Sequence, residues 1–153
     1  MLKFSCEKSL LQSAVSTASR AVASKSSIPA LEGLLIEAGH NVRITGYDLK
    51  KGIYTTIDAD VKEIGSVILG AKMFADIIRS MPSGDVTITC DKNLTVTITA
   101  SNSEFSIIGM DFNDYPELPS IESRQTIALP QNILGEMIRQ TIFAVSEDEA
   151  RPI

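Results

Sequence analysis

The chain has 153 residues, 44% of them hydrophobic, and a formal net charge of -5. That length buries one sizeable core with some chain to spare, because domains commonly run to roughly 100 to 150 residues. No run approaches the ~20 consecutive apolar residues of a membrane-spanning helix, and an acidic total taken alone argues against nucleic acid, whose phosphates are bound by Lys and Arg, unless the charges are segregated along the chain.

Met1 to Cys6 alternates Leu2, Phe4 and Cys6 with Lys3 and Ser5, the period of a half-buried strand. This start lacks the charged lead and apolar core of a signal peptide, so the expected location is the cytoplasm. From Lys8 the period changes. Leu11, Ala14, Val15, Ala18 and Val22 follow helical spacing as far as the Ser24-Lys25-Ser26-Ser27 loop and Pro29. Strands are expected over Leu31 to Glu37, Val42 to Tyr47 and Ile53 to Asp60, with the one histidine, His40, in a Gly39-His40-Asn41 turn.

The pattern then restarts. Val67 to Leu69 reads as a strand, and Met73, Phe74, Ile77 and Ile78 form the apolar stripe of a short helix that Met81-Pro82-Ser83-Gly84 stops. Val86 to Cys90, Leu94 to Thr99 and Phe105 to Ile108 read as three more strands. A third start follows, a strand at Thr126 to Leu129 and a helix through Ile133, Leu134, Met137, Ile138 and Ile142. Setting Leu69 on Leu129 puts Phe74 on Leu134, Asp76 on Glu136, Ile77 on Met137, Ile78 on Ile138 and Arg79 on Arg139, an offset of 60 residues with matched chemistry. A fixed period marks repeat architecture. The first unit fits more loosely, with Leu10, Leu11, Ala14 and Val15 on Met73, Phe74, Ile77 and Ile78.

The order strand, helix, three strands, occurring twice, predicts an α+β fold. Two units make one domain over residues 1–121, and the acidic, Pro-bearing stretch from Asp111 to Pro119 suits an exposed connection. Residues 122–153 then begin a second domain, and the expectation is an N-terminal fragment cut in its third unit. The third helix, lacking its three strands, is expected to bury its apolar stripe against a neighbouring chain or to be poorly ordered.

No Gly-rich phosphate loop, His-Glu-x-x-His, Cys-x-x-Cys or Gly-x-Ser-x-Gly element occurs, so no catalytic residue, cofactor or metal is expected. Cys6 and Cys90 sit in apolar runs without a further Cys or His at metal-ligand spacing and read as reduced core residues. Glu147-Asp148-Glu149 reads as a solvated helix end, and Asp58 and Asp60 as solubilising. Charge placement is more telling. The three helical segments, Lys8 to Lys25, Ala71 to Ser80 and Gln131 to Ser146, hold six basic and two acidic side chains, against eight and seventeen elsewhere. On the first helix the face opposite the apolar stripe carries Ser9, Ser13, Ser16, Thr17, Arg20 and Ser24. Such a face can follow a nucleic-acid backbone without reading base edges, since it lacks the Asn, Gln and Arg cluster of major-groove readers.

Several words recur in order: Lys3-Phe4, Ile28-Pro29-Ala30-Leu31, Thr45-Gly46-Tyr47-Asp48-Leu49, Phe74-Ala75-Asp76-Ile77-Ile78-Arg79, Ser103-Glu104-Phe105, Tyr115-Pro116-Glu117-Leu118-Pro119, and Phe143-Ala144-Val145-Ser146 leading to Arg151-Pro152. With the repeat pattern they resemble the bacterial sliding clamps, the beta subunits of the replicative DNA polymerase. The resemblance implies a non-enzymatic processivity factor in DNA replication. Two head-to-tail subunits of three similar domains each would form a ring around double-stranded DNA, with helices lining the inner face and antiparallel sheets outside. It implies partners in the replicative polymerase and the clamp loader, and none in a membrane. Carried over by position, Lys25, in the loop after the first helix, and Lys72, opening the second, fall on DNA-contacting sites, and Arg20 and Arg79 are expected to bind DNA with them. Asp148, Pro152 and Ile153 fall on further DNA-facing positions, although an acid and two apolar residues stand there. Phe105, Ile107, Met73 and Ile77 fall on the edge that meets the third domain of the other subunit, where Asn102 and Glu104 replace basic residues of some relatives. Arg151 falls in the pocket for client peptides. Two other readings stay open: a generic α+β protein-interaction module without DNA contact, and a small-molecule enzyme, which needs a pocket of converging polar groups. Where Arg20, Lys25, Lys72 and Arg79 point discriminates the clamp reading from the interaction module.

Overall fold

Alternation of apolar and polar residues turns one face of each strand inward, and the computed structural model, which describes residues 1–119 and 127–146, has nine strands in that part. In chain order come β1 (Leu2–Glu7), α1 (Lys8–Ala18) with a 3₁₀ turn at Ser19–Ala21, a second 3₁₀ turn at Pro29–Glu32, β2 (Gly33–Ala38), β3 (Val42–Tyr47), β4 (Gly52–Ile57) and β5 (Asp60–Glu63). Then follow β6 (Gly65–Gly70), α2 (Ala71–Ser80), β7 (Asp85–Cys90), β8 (Thr95–Ala100), β9 (Ser103–Ile108), a 3₁₀ turn at Phe112–Asp114, α3 (Gln131–Thr141) and a last 3₁₀ turn at Ile142–Ala144.

Three strand expectations change. Pro29 pre-sets a helical φ at the start of its turn, so Leu31 and Glu32 belong to a 3₁₀ turn and β2 begins only at Gly33. The run from Ile53 to Asp60 divides at Asp58–Ala59, because β5 leaves the sheet of β4 and pairs with β1 in the other one. Residues 127–129 form no strand, and Thr126 lies outside the described residues. A strand needs a hydrogen-bonded neighbour, and none is paired with those three.

Both sheets are antiparallel, in the orders β5-β1-β7-β8-β9 and β4-β3-β2-β6. The two repeats therefore exchange their first strands. β1 pairs with β7 of the second repeat, Leu2 opposite Cys90 through Glu7 opposite Asp85, while β6 pairs with β2 of the first, Gly33 opposite Gly70 through Ala38 opposite Gly65. The inward residues of both sheets (Phe4, Ile36, Ile44, Leu69, Ile88 and Ile98 among them) meet Leu11, Ala14, Val15 and Ala18 of α1 and Phe74, Ile77 and Ile78 of α2 in one core. A smaller cluster of Ala30, Leu31, Tyr47, Ile68 and Tyr115 lies apart from it.

The stretch from Asp111 to Pro119 is only partly the exposed connection its composition suggests. Asp111 to Asp114 are exposed, but Tyr115 is buried and its phenol donates to the Thr45 carbonyl at 3.2 Å, where the β2–β3 register ends at Leu35 opposite Thr45. Leu118 packs beside Gly52, where a Cβ would stand 2.8 Å from its Cδ2. The chain divides into two units, Met1–Leu118 and Pro119–Ile153. In the second, no residue of α3 is buried. Among the described residues no helix is long and apolar enough to cross a membrane.

Candidate nucleic-acid interface

The helices of the two repeats pack side by side. Val15, Ser16 and Ser19 face Ala75, Ile78 and Arg79 across a cleft of about 350 Å³. A close approach on the other side seats α1: the Ala18 carbonyl oxygen would be 2.1 Å from a Cβ on Gly46, so β3 passes beneath the helix end only because that position carries no side chain. Beyond that end the loop is held at several points. Ala23 N–H donates to the Leu31 carbonyl at 3.0 Å, Ser26 N–H to Glu32 Oε1 at 2.9 Å, and Ile28 N–H to Ser26 Oγ at 3.1 Å. Lys25 stands exposed on this tethered loop and Arg20 exposed on the turn before it.

Lys72 opens α2 and Arg79 lies in its last turn. Both line a cleft of about 500 Å³ whose other wall runs from Ser19 through Ser24, the residues next to Arg20 and Lys25. Arg20 and Lys25 do not line it. The four cations thus occupy neighbouring stretches around the paired helices instead of being scattered over the sheets.

Their electrostatic states differ. Arg79 Nη1 sits 2.9 Å from Asp76 Oδ1, an exposed (i, i+3) pair of a kind that adds only roughly 0.2–0.5 kcal/mol to a helix. Arg139 is paired with Glu136 in the same way on α3. Lys8, counted among the helix cations from sequence, donates its ammonium to the main-chain carbonyls of Arg79, at 3.1 Å, and of Met81. It caps the C-terminal end of α2, where carbonyls lack helical partners and the dipole is negative. Among the described residues no ion pair involves Arg20, Lys25 or Lys72.

A second surface lies at the free edge of the five-stranded sheet. Met73 and Ile77 of α2, Phe105 of β9, Pro29 and Met110 line an apolar groove of about 770 Å³. Phe105 is 39% exposed and Met73 60%. Ile107 does not join them, since it is half-buried against the main core. Ile108, which the sequence did not single out, points to the opposite face of β9 and is 74% exposed. Asp148, Arg151, Pro152 and Ile153 lie outside the described residues.

Nothing in the described part assembles a reacting centre. Cys6 and Cys90 are buried, and burial pushes both thiols up, Cys6 to about 11. They face each other across no contact, because Cys6 is opposite Val86 and Cys90 opposite Leu2. No group of three or more metal-ligating side chains occurs among the described residues.

Residues 2–119 match the family described as DNA polymerase III beta subunit, N-terminal domain. The chain belongs to that family. A beta sliding clamp of Halalkalibacterium halodurans is 37% identical over 161 residues, which take in 99% of this chain and 42% of the relative. One from Synechocystis is 37% identical over 162 residues, covering 99% and 41%. Among solved structures, the DNA polymerase sliding clamp of Bacillus subtilis superposes with a TM-score of 0.91 at 34% identity, over 99% of this chain and 42% of that one. The beta subunit from the DNA polymerase of Streptococcus pyogenes gives 0.89 at 30%, over 98% and 41%. The beta-subunit fold is thus the α+β clamp fold, and the chain spans about two fifths of the length of the beta subunits it matches.

Two functional features were not singled out from the sequence, one without a local signal and one with it. The Lys8 cap joins positions more than 70 apart in sequence, so no local signal announces it. The Asp76–Arg79 and Glu136–Arg139 pairs were legible from their spacing, which puts both partners on one helix face.

Proposed function

We propose that this chain forms the first part of a ring that encircles duplex DNA and tethers a replicative polymerase, a processivity factor and not an enzyme, at work in the cytoplasm. The observation that carries the reading is the pairing of α1 and α2, one from each repeat, with Arg20, Lys25 and Lys72 unpaired around them. A tethering ring needs no tight grip, because topology keeps it on the DNA. What it needs is attraction without register, and lysine and arginine on phosphates provide that independently of sequence. A hydroxyl-bearing helix face adds nothing that repels a phosphate.

In this reading residues 1–121 are the first clamp domain and residues 122–153 begin the second. The apolar groove of Met73, Ile77 and Phe105, beside the free edge of β9, receives the third domain of another subunit in a head-to-tail dimer. An unpaired edge next to exposed apolar side chains is a surface suited to pairing with another chain, and Ile107 supports it from the core. Asp148, Pro152 and Ile153 as DNA-facing positions, and Arg151 as part of the pocket for peptides of polymerase and clamp loader, rest on resemblance alone.

The test is loading. In a full-length clamp that carries this sequence as its first domain, Lys25→Glu with Lys72→Glu is expected to lower retention on closed circular DNA several-fold at a salt concentration where the parent stays bound. Equal retention by the two proteins would reject the assignment of these lysines.

A further inference from the structure

The positive charge on the helices is trimmed in a repeated way. On α2 the acid Asp76 pairs with the arginine three residues later, Nη1 to Oδ1 at 2.9 Å. On α3, 60 residues further along, Glu136 pairs with Arg139, again three residues later and again through Nη1. Each acid is the only one in its helix. Helix stability accounts for little of the arrangement, since each such pair is a weak contributor. An arginine in a last turn is already favoured by the helix dipole, an acid in mid-helix gains nothing from it, and both pairs are exposed, where ion pairs contribute little. On α1, by contrast, no acid occurs, and Arg20 on the turn after it and Lys25 on the loop beyond are in no ion pair among the described residues.

We propose that Asp76 and Glu136 regulate the grip on DNA by holding Arg79 and Arg139 off the phosphates, so that attraction comes from Arg20, Lys25 and Lys72. This rests on the DNA-encircling reading above. A phosphate approaching Arg79 has to displace a carboxylate that stays within reach and repels it. Asp76 also shares a cleft with Lys72 one turn earlier, well inside the ~10 Å over which exposed charges act at moderate salt. Removing the carboxylate therefore returns one arginine to the phosphates and relieves one lysine. A surface meant to slide along DNA is served by keeping that number of contacts low, since every neutralised phosphate deepens the attraction.

The test is a salt series. Binding of the 153-residue chain to a fluorescent duplex is measured for the parent, Asp76→Asn, Asp76→Asn with Glu136→Gln, Lys25→Glu with Lys72→Glu, and Asp60→Asn. The last removes an acid from an equally exposed ion pair, with Lys62 at 2.9 Å, on a strand. Asp76→Asn is expected to tighten binding several-fold at low salt and to steepen the slope of log affinity against log salt by about 0.9, the value for one more phosphate contact, with a further step in the double variant. Asp60→Asn is expected to leave the slope where it is. The inference is overturned if Asp76→Asn changes neither affinity nor slope while Lys25→Glu with Lys72→Glu still weakens binding. It is equally overturned if Asp60→Asn does as much as Asp76→Asn, since total charge would then be the cause. A parent that binds no duplex at the lowest salt, with Asp76→Asn binding none either, overturns the inference alone, while the DNA-encircling reading, which needs no tight grip, stands or falls by the loading test above; a parent that ignores the lysine reversals, with equal loading of the full-length proteins, removes both.

Discussion

Tyr115 shows what a single side chain does to the exit of the first unit. Burial pushes its phenol up to about 12, against the opposing pull of a backbone hydrogen bond at Tyr47, and its hydroxyl donates to the Thr45 carbonyl. The folded chain holds that proton to higher pH than the unfolded chain, whose tyrosines titrate near pH 10. Its contribution is therefore complete below about pH 10 and falls as the pH rises toward 12. Tyr115→Phe is expected to cost about 0.5–1.5 kcal/mol at neutral pH and to remove this share of the alkaline loss. Urea melts of both proteins at pH 7 and at pH 11 check it, and a constant gap between them at the two pH values would contradict it. The residue was unreadable in sequence for a physical reason. Acids and prolines dominate the composition around it, while its partners Leu31, Thr45 and Tyr47 come from remote segments. Lys72, Met73, Ile77, Arg79 and Phe105 were readable because helical and strand periods fix faces directly.

At the scale of elements, α2 and α3 carry the same pattern and meet different fates. Ala71, Phe74, Ile77 and Ile78 of α2 are buried, whereas α3 buries no residue despite Leu134, Met137 and Ile138 at the matching positions. Periodicity announces a face that can be covered; it does not supply the cover. A helix of 11 residues without tertiary packing is marginal in water, where isolated helices need ~12–15 residues or more. Hydrogen exchange of the chain should therefore find the Ile133–Thr141 amides close to free-peptide rates, with α1 and α2 far slower. Protection of α3 equal to that of α2 would mean that its apolar stripe is covered in solution. Element boundaries depend on more than the local pattern. Pro29 replaced the start of a strand by a turn, and β5 departed for the other sheet, because neighbours in space decide such ends.

For the whole molecule, the 60-residue repeat was visible but the exchange of β1 and β6 was not. A period of two says which face of a strand is buried, and nothing about which strand lies beside it. The exchange makes the repeats interdependent, since each sheet takes strands from both. Phe4→Ala in β1 and Phe74→Ala in α2 both remove a fully buried ring from the one core, at about 3–5 kcal/mol each. Each should lower the same transition of Met1–Leu118, seen together by far- and near-ultraviolet circular dichroism. Two separate transitions, one per repeat, would show that the halves stand alone.

The exchange also has a consequence on the ribosome. β1 is synthesised well before β7, yet Leu2 finds its partner in Cys90 and Glu7 in Asp85. At about 5–20 residues per second, β1 waits on the order of 4–16 s for the strand that completes its ladder, with the main-chain groups of that edge unpaired meanwhile. Its one nearer neighbour, the short β5, is made earlier and pairs with the same strand on its other side. The nascent chain thus has one lasting ladder partner for β1 while the second repeat is still being translated.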